Sequence, residues 1–213
     1  MDVLTGLIDL FLHLDEYLAK IILDYGAWTY GILFAVIFVE TGLVIMPFLP
    51  GDSLLFAAGT FAALGSLNIG FLVLLLIVAA VLGDTVNYSI GHYLGERAYN
   101  IKWIKKEYID KTHDFFEKHG GKAIFLARFV PIVRTFAPFV AGVGSMTYGR
   151  FMSYNVIGAV AWVLLCTFAG YFFGNLPFVK KHFELVLIGI IGISLLPAVI
   201  EYLRHRAAAR RSA

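Results

Sequence analysis

Two stretches of the chain, residues 27–64 and 123–147, are apolar enough for a membrane, yet neither reads as one straight helix. The first runs Glu40-Thr-Gly-Leu-Val-Ile-Met-Pro47-Phe-Leu-Pro50-Gly51-Asp52-Ser53 across its middle, and the second carries Arg128, Pro131, Arg134 and Pro138. Proline lacks the backbone donor and stops or kinks a helix. Irregular backbone at membrane depth is tolerated only where it is buried in protein or lines a wet cavity. Both stretches therefore read as re-entrant hairpins, each a half-helix, a broken tip and a second half-helix. Pro47, Pro50 and Gly51 form the expected tip of the first, and Pro131 and Pro138 that of the second. Asp52 or Ser53 is expected to cap a new helix beginning at Leu54.

Composition supports this reading. Of 213 residues, 60% are hydrophobic and 15% charged, with a mean hydropathy of +0.81. Soluble domains carry about 25% charged and about 45–50% apolar residues. A globule of 23.6 kDa has too little interior to hide so much apolar surface. The expected fold class is all-α integral membrane, a single domain over residues 1–213. A net charge of +2 gives no ground for a nucleic-acid partner. The lone Cys166 excludes an intramolecular disulfide and a multi-Cys metal site. Neither a metal nor a cofactor is expected.

Around the hairpins the chain divides readily. In residues 2–24, Asp2, Asp9, His13, Glu16, Lys20 and Asp24 recur on one helical face opposite Leu7, Leu10, Leu14, Leu18 and Ile21. This is expected to be an interfacial amphipathic helix, with a polar-faced spanning helix as the alternative. Asp2 and Asp9 stand where a signal peptide would be basic. Residues 70–94, 151–174 and 184–203 are expected spans, 96–122 a polar cytoplasmic loop, and 204–213 a basic cytoplasmic tail.

An internal repeat is visible at an offset of 79 residues, pairing Gly65-Ser66 and Gly70 with Gly144-Ser145 and Gly149, and Gly91 and Gly95 with Gly170 and Gly174. Before Gly65 the match needs a gap. Each repeat reads as hairpin, turn, span. With 96–122 and the tail inside, hairpin 27–64 enters from outside and hairpin 123–147 from inside. Inverted repeats of this kind are common in secondary transporters. Lys180 and Lys181 then fall outside, mildly against the positive-inside rule.

The hairpins hold Glu40 and Asp52 on one side and Arg128 and Arg134 on the other. Ionisable residues inside a membrane face a pathway or each other. Tips entering from opposite faces would set two acids against two arginines around a small chamber. Arginine presents a planar fork suited to phosphate or carboxylate, and a poorly solvated carboxylate can carry a proton. The residues thus suggest an anion held by arginine and coupled to protonation of an acid; two structural ion pairs are the simpler alternative. Asp84 reads equally as a third acid of the chamber or as a helix-packing residue beside Asn87 and Tyr88. Gly91-xxx-Gly95 and Gly170-xxx-Gly174 read as packing faces. The aromatics read mostly as lipid-facing or interfacial anchors. His92, His113 and His119 have no metal-site spacing. Ser53 and Ser66 have no His/Asp relay, and no Walker A motif is present, so the chain is not expected to be an enzyme.

The run from Glu40 through Pro47, Pro50, Gly51, Asp52 and Ser53 resembles the signature of the DedA family. So does Ala127-Arg128-Phe129-Val-Pro131-Ile-Val-Arg134-Thr-Phe-Ala-Pro138-Phe-Val-Ala-Gly142. The family is also described by a SNARE-associated or VTT domain shared with eukaryotic lipid scramblases. The resemblance covers essentially the whole chain. It implies a multi-pass bacterial inner-membrane protein with two opposed re-entrant hairpins. It also implies recycling of undecaprenyl phosphate to the cytoplasmic leaflet in dependence on proton or sodium gradients. Matched by motif, Glu40 and Asp52 correspond to functional acids and Arg128 and Arg134 to functional arginines.

The expectation is a membrane transporter in which Arg128 and Arg134 bind the lipid phosphate. Glu40, Asp52 and Asp84 serve proton or ion coupling, and the acids compete for the arginines. The expected partners are a membrane lipid and protons or sodium; a homo-oligomer is compatible with the chain. A proton or cation antiporter would need the acids more than the arginines. A scramblase would need no gradient. A lipid phosphatase would need a histidine nucleophile or a metal constellation, and neither is visible. A purely structural protein would tolerate Glu40→Gln.

Overall fold

The structure is a computed structural model that describes residues 14–43, 51–94, 119–144 and 146–177, with positions 179, 185, 186 and 189. Pro47, Pro50, the polar loop over 95–118, the tail and most of the expected span 184–203 lie outside the described residues. Seven helices carry the described fold: α1 (Leu14–Tyr25), α2 (Trp28–Gly42), α3 (Gly51–Ala63), α4 (Ile69–Leu94), α5 (Ala123–Ala127), α6 (Pro131–Val143) and α7 (Tyr148–Phe173). No strand occurs among the described residues.

Helices α4 and α7 are two long apolar helices that cover the expected spans 70–94 and 151–174 to within a few residues. Each has 26 residues, and their most apolar windows have mean hydropathies of 2.6 and 2.1. At about 1.5 Å per residue, either exceeds a hydrocarbon core of about 30 Å. In α1, Leu18 is buried while Glu16, Lys20 and Asp24 are exposed. The turn between α3 and α4 uses Gly65 at φ +81°, which a side chain would strain.

The first broken stretch forms α2 and α3, and the second forms α5 and α6. Helix α5 ends at Ala127, and Val130 is extended (φ −122°, ψ 105°), as the residue before a proline prefers. Pro131 then opens α6 at its first turn. Two details correct the sequence reading. Pro138 lies inside α6 and not at a tip. Its missing N–H removes one helical bond, yet the flanking turns are packed firmly enough to continue the helix. In addition, α3 already includes Gly51, so it starts before Leu54, and Asp52 and Ser53 sit in its first turn and are not caps.

The repeat is a packing pattern as well as a sequence match. Helix α3 packs mainly on α7 and hardly touches α4, whereas α6 packs mainly on α4. Helices α3 and α6 therefore each lie on the long helix of the other repeat, whereas α2 lies on α4, the long helix of its own. The contacts correspond residue by residue. A Cβ on Gly170 would meet the Phe56 carbonyl, and one on Gly59 the Thr167 carbonyl. A Cβ on Gly91 would meet the Phe139 carbonyl, and one on Gly142 the Tyr88 carbonyl. Gly91 and Tyr88 stand 79 positions before Gly170 and Thr167, while Phe56 and Gly59 stand 83 before Phe139 and Gly142. The four extra residues are the gap that obscures the match before Gly65. Small residues let helix backbones touch, which is how helices associate in lipid. In the second repeat, a Cβ on Gly174 would meet Thr60 Oγ1, in keeping with a packing role.

Gly91→Ala and Gly170→Ala should each destabilise the protein by about 1–3 kcal/mol, because the opposing atoms are backbone and cannot swing aside. Gly149→Ala, with nothing within 4 Å of the added Cβ, should be neutral. Thermal melts of the purified chain in detergent distinguish the three.

Candidate functional site

Three acids and two arginines meet inside the bundle. Glu40 ends α2, Asp52 begins α3 and Asp84 lies within α4; Arg128 follows α5 and Arg134 lies in the first turn of α6. All three acids come from the first repeat and both arginines from the second.

Arg134 joins α6 to both α2 and α3. Its Nη1 donates to Asp52 Oδ1 at 3.0 Å, and its Nη2 donates to Glu40 Oε1. One guanidinium fork thus holds a carboxylate from each arm of the other hairpin, a charge-assisted arrangement. The Glu40 carboxylate also lies against the start of α3. A Cβ on Gly51 would come within 2.7 Å of its Cδ, so a larger residue there would displace the carboxylate. The side chains of Glu40 and Arg134 are 1% and 10% exposed, and that of Asp52 is 25% exposed. Asp52 is therefore the side of the cluster open to approach.

Arg128 does not join that pair. Its Nη2 donates to Asp84 Oδ2 at 2.5 Å and to Asn155 Oδ1 at 2.7 Å. Asn155 in turn donates to the Val81 carbonyl at 3.1 Å. Gly158 lies 3.0 Å, measured from an added Cβ, from Arg128 Cδ and so leaves room for the stem. Among the described residues, Arg128 Nε and Nη1, both buried, have no hydrogen-bond partner. The arginines are consequently unequal. Arg134 is engaged by two acids, while Arg128 has one acid and two donors uncommitted.

Trp162 of α7 stands between the two clusters. Its Nε1 donates to the same Asp52 Oδ1 at 2.6 Å. Its ring centroid lies 5.2 Å from Arg134 Cζ and 5.8 Å from Arg128 Cζ, within cation–π range of both. Asn87 braces the site from α4 by donating to the carbonyls of Thr41 (3.2 Å) and Thr135 (2.9 Å), one in each hairpin.

The sequence therefore names all five charged residues, and the structure brings them together with a different pairing. Asp84 proves to be the partner of Arg128, while Asn87 and Tyr88 bond elsewhere, Tyr88 donating to the Met146 carbonyl. Asn155 and Trp162 were not anticipated. Trp162 is 2% exposed and is no interfacial anchor. Its position in the middle of a span, where tryptophan is unusual, was the available signal. Among the described residues no group of His, Cys, Asp and Glu could hold a metal.

The VTT domain matches residues 49–172 of the chain. The chain is 56% identical over 218 residues to Protein DedA of Escherichia coli K12, with both covered in full. It is 45% identical over 168 residues to an uncharacterized membrane protein of Mycobacterium leprae, covering 78% of this chain and 75% of that protein. It is 36% identical over 174 residues to Inner membrane protein YqjA of E. coli K12, covering 80% and 78%. No solved structure matches.

Breaking the Arg128–Asp84 pair from one side strands a buried charge. Asp84→Ala should destabilise the protein by about 3–5 kcal/mol. Asp84→Leu combined with Arg128→Met should recover most of that loss, as measured by thermal melts of the two variants.

Proposed function

Because the chain belongs to the DedA family of VTT-domain membrane proteins, we propose that it is a gradient-coupled transporter of a polyprenyl lipid phosphate. In this reading it returns undecaprenyl phosphate to the cytoplasmic leaflet of the bacterial inner membrane and is not an enzyme. The observation that carries the reading is Arg134, whose fork is shared by Glu40 and Asp52.

A lipid phosphate cannot cross hydrocarbon unaided, because an ionised group in low dielectric needs its counter-charge. A guanidinium fork suits phosphate as well as it suits two carboxylates. The carboxylates and the phosphate then compete for Arg134. Protonation of an acid releases the fork to the lipid, and loss of that proton returns it. Fully ionised, the three acids outnumber the two arginines, so a bound proton or sodium ion brings the set to neutrality. Arg128, with Nε and Nη1 uncommitted, offers a second hold on the head group. The polyprenyl tail stays in lipid. Moving such an equilibrium takes only a few kcal/mol of differential affinity, about 5.5 for a full reversal.

Under this reading α2–α3 and α5–α6 are re-entrant hairpins entering from opposite faces, with the C-terminus in the cytoplasm. The surplus acid also favours a second reading, a proton or cation antiporter with an indirect effect on lipid.

Proteoliposomes containing undecaprenyl phosphate test the proposal by leaflet exchange with and without an imposed proton gradient. Gradient-driven exchange is expected for the natural chain and should be lost in Glu40→Gln and Arg134→Ala. Arg134→Lys keeps the charge but not the fork and should slow exchange by about tenfold or more. Full exchange in both Arg134 variants would remove the phosphate role. Proton flux without lipid exchange, abolished by Glu40→Gln, would establish the antiporter, and exchange indifferent to the gradient a scramblase.

A further inference from the structure

Trp162 is unexplained by a competition between acids and phosphate for arginine alone. It lies mid-span in α7, almost completely buried, with its polar edge on Asp52 and its ring beside both guanidinium groups. A buried indole needs a partner for its N–H, but it did not need this one. Asp52 Oδ1 already accepts from Arg134 Nη1, so the same oxygen receives both donors. Asp52 is also the most exposed acid of the set.

We propose that Trp162 is a positioning residue: its indole N–H keeps the Asp52 carboxylate seated on Arg134 and so sets how readily a lipid phosphate displaces it. The reasoning is mechanical and energetic. Asp52 stands at the start of α3, a half-helix that lies on α7, the helix that carries Trp162. The contacts of Gly59 with Thr167 and of Gly170 with Phe56 fix α3 and α7 at backbone distance. Trp162 therefore moves with α3, whereas Arg134 belongs to α6, which lies on α4. The N–H holds the acid at one orientation, facing the guanidinium of the opposite half. Without it, Asp52 loses one charge-assisted bond and its seat on Arg134 weakens. The arginine then becomes more available to an anion and less readily reclaimed from it. The inference rests on the lipid-phosphate reading above.

The test uses the full chain in nanodiscs. Trp28→Phe and Trp103→Phe leave Trp162 as the sole indole of the three. Binding of undecaprenyl phosphate is followed by calorimetry, which does not depend on the indole, and Trp162 emission is read alongside, with undecaprenol as the uncharged control. In this parent, the phosphate lipid is expected to shift Trp162 emission and undecaprenol is not. Trp162→Phe keeps a ring and loses the N–H. It should bind the phosphate lipid about fivefold more tightly and turn over more slowly, because release is impaired. A merely structural tryptophan would not produce tighter binding. In an Asp52→Ala background the same substitution should change affinity less than twofold, since the acid it positions is gone. Asp52→Ala in the parent should by itself shift Trp162 emission without lipid, a reading that requires no substitution of Trp162. Binding seen by calorimetry with unmoved emission, or Trp162→Phe acting equally with and without Asp52, overturns the inference and leaves the transport reading standing. No binding of the phosphate lipid to the parent overturns both.

Discussion

An ionised side chain inside an apolar bundle must find its counter-charge there, and this requirement organises the described fold. Glu40 and Asp52 belong to two different helices, α2 and α3, and Arg134 belongs to a third. Their meeting at one guanidinium ties α2, α3 and α6 to a single point. The desolvation cost of such groups is several kcal/mol each and is offset only when hydrogen-bonding geometry is good. Hence the supporting residues are specific. Gly51 makes room for Glu40, Gly158 makes room for Arg128, and Asn155 accepts the second bond from Arg128 Nη2.

The backbone arrangement is near-symmetric and the charges are not. Gly91 and Gly142 repeat the contacts of Gly170 and Gly59, so α3 and α6 each lie on the long helix of the other repeat. The acids of the site nevertheless all lie in the first repeat and the arginines in the second. Neither repeat is electrically complete, and the electrostatic attraction acts between halves. A relative shift of the halves would separate opposite charges, which is costly unless a proton, a cation or an anion takes the missing place. That coupling is what a gradient-driven carrier of an anionic lipid requires, and it follows from where the charges sit rather than from any one residue.

Much of this was legible in the chain. The two spans follow from apolar length, and the breaks follow from proline. Pro131 marks the start of α6, whereas Pro138 gave a false boundary because a packed helix absorbs one lost hydrogen bond. The repeat was visible through Gly91 and Gly170, whose spacing matches without a gap. It faded before Gly65, where four additional residues separate Phe56 from its counterpart Phe139. The charged residues declared themselves because ionisable groups are rare in apolar segments. Asn155 did not, because a neutral polar side chain in a span is ordinary until its partner is known, and the mid-span place of Trp162 is unusual but does not say what its N–H bonds.

The sequence by itself determined an all-helical membrane protein, its broken segments, its duplication and the five charged residues of its centre. These depend on composition, backbone chemistry and the cost of charge in hydrocarbon, all of which are local. Only the tertiary structure decided who pairs with whom. It gave both hairpin acids to Arg134, gave Asp84 to Arg128 and placed Trp162 on Asp52. Partner choice depends on how α3 lies on α7 and α6 on α4. That packing brings residues up to 110 positions apart within hydrogen-bonding distance, as with Trp162 and Asp52, and no local rule encodes it.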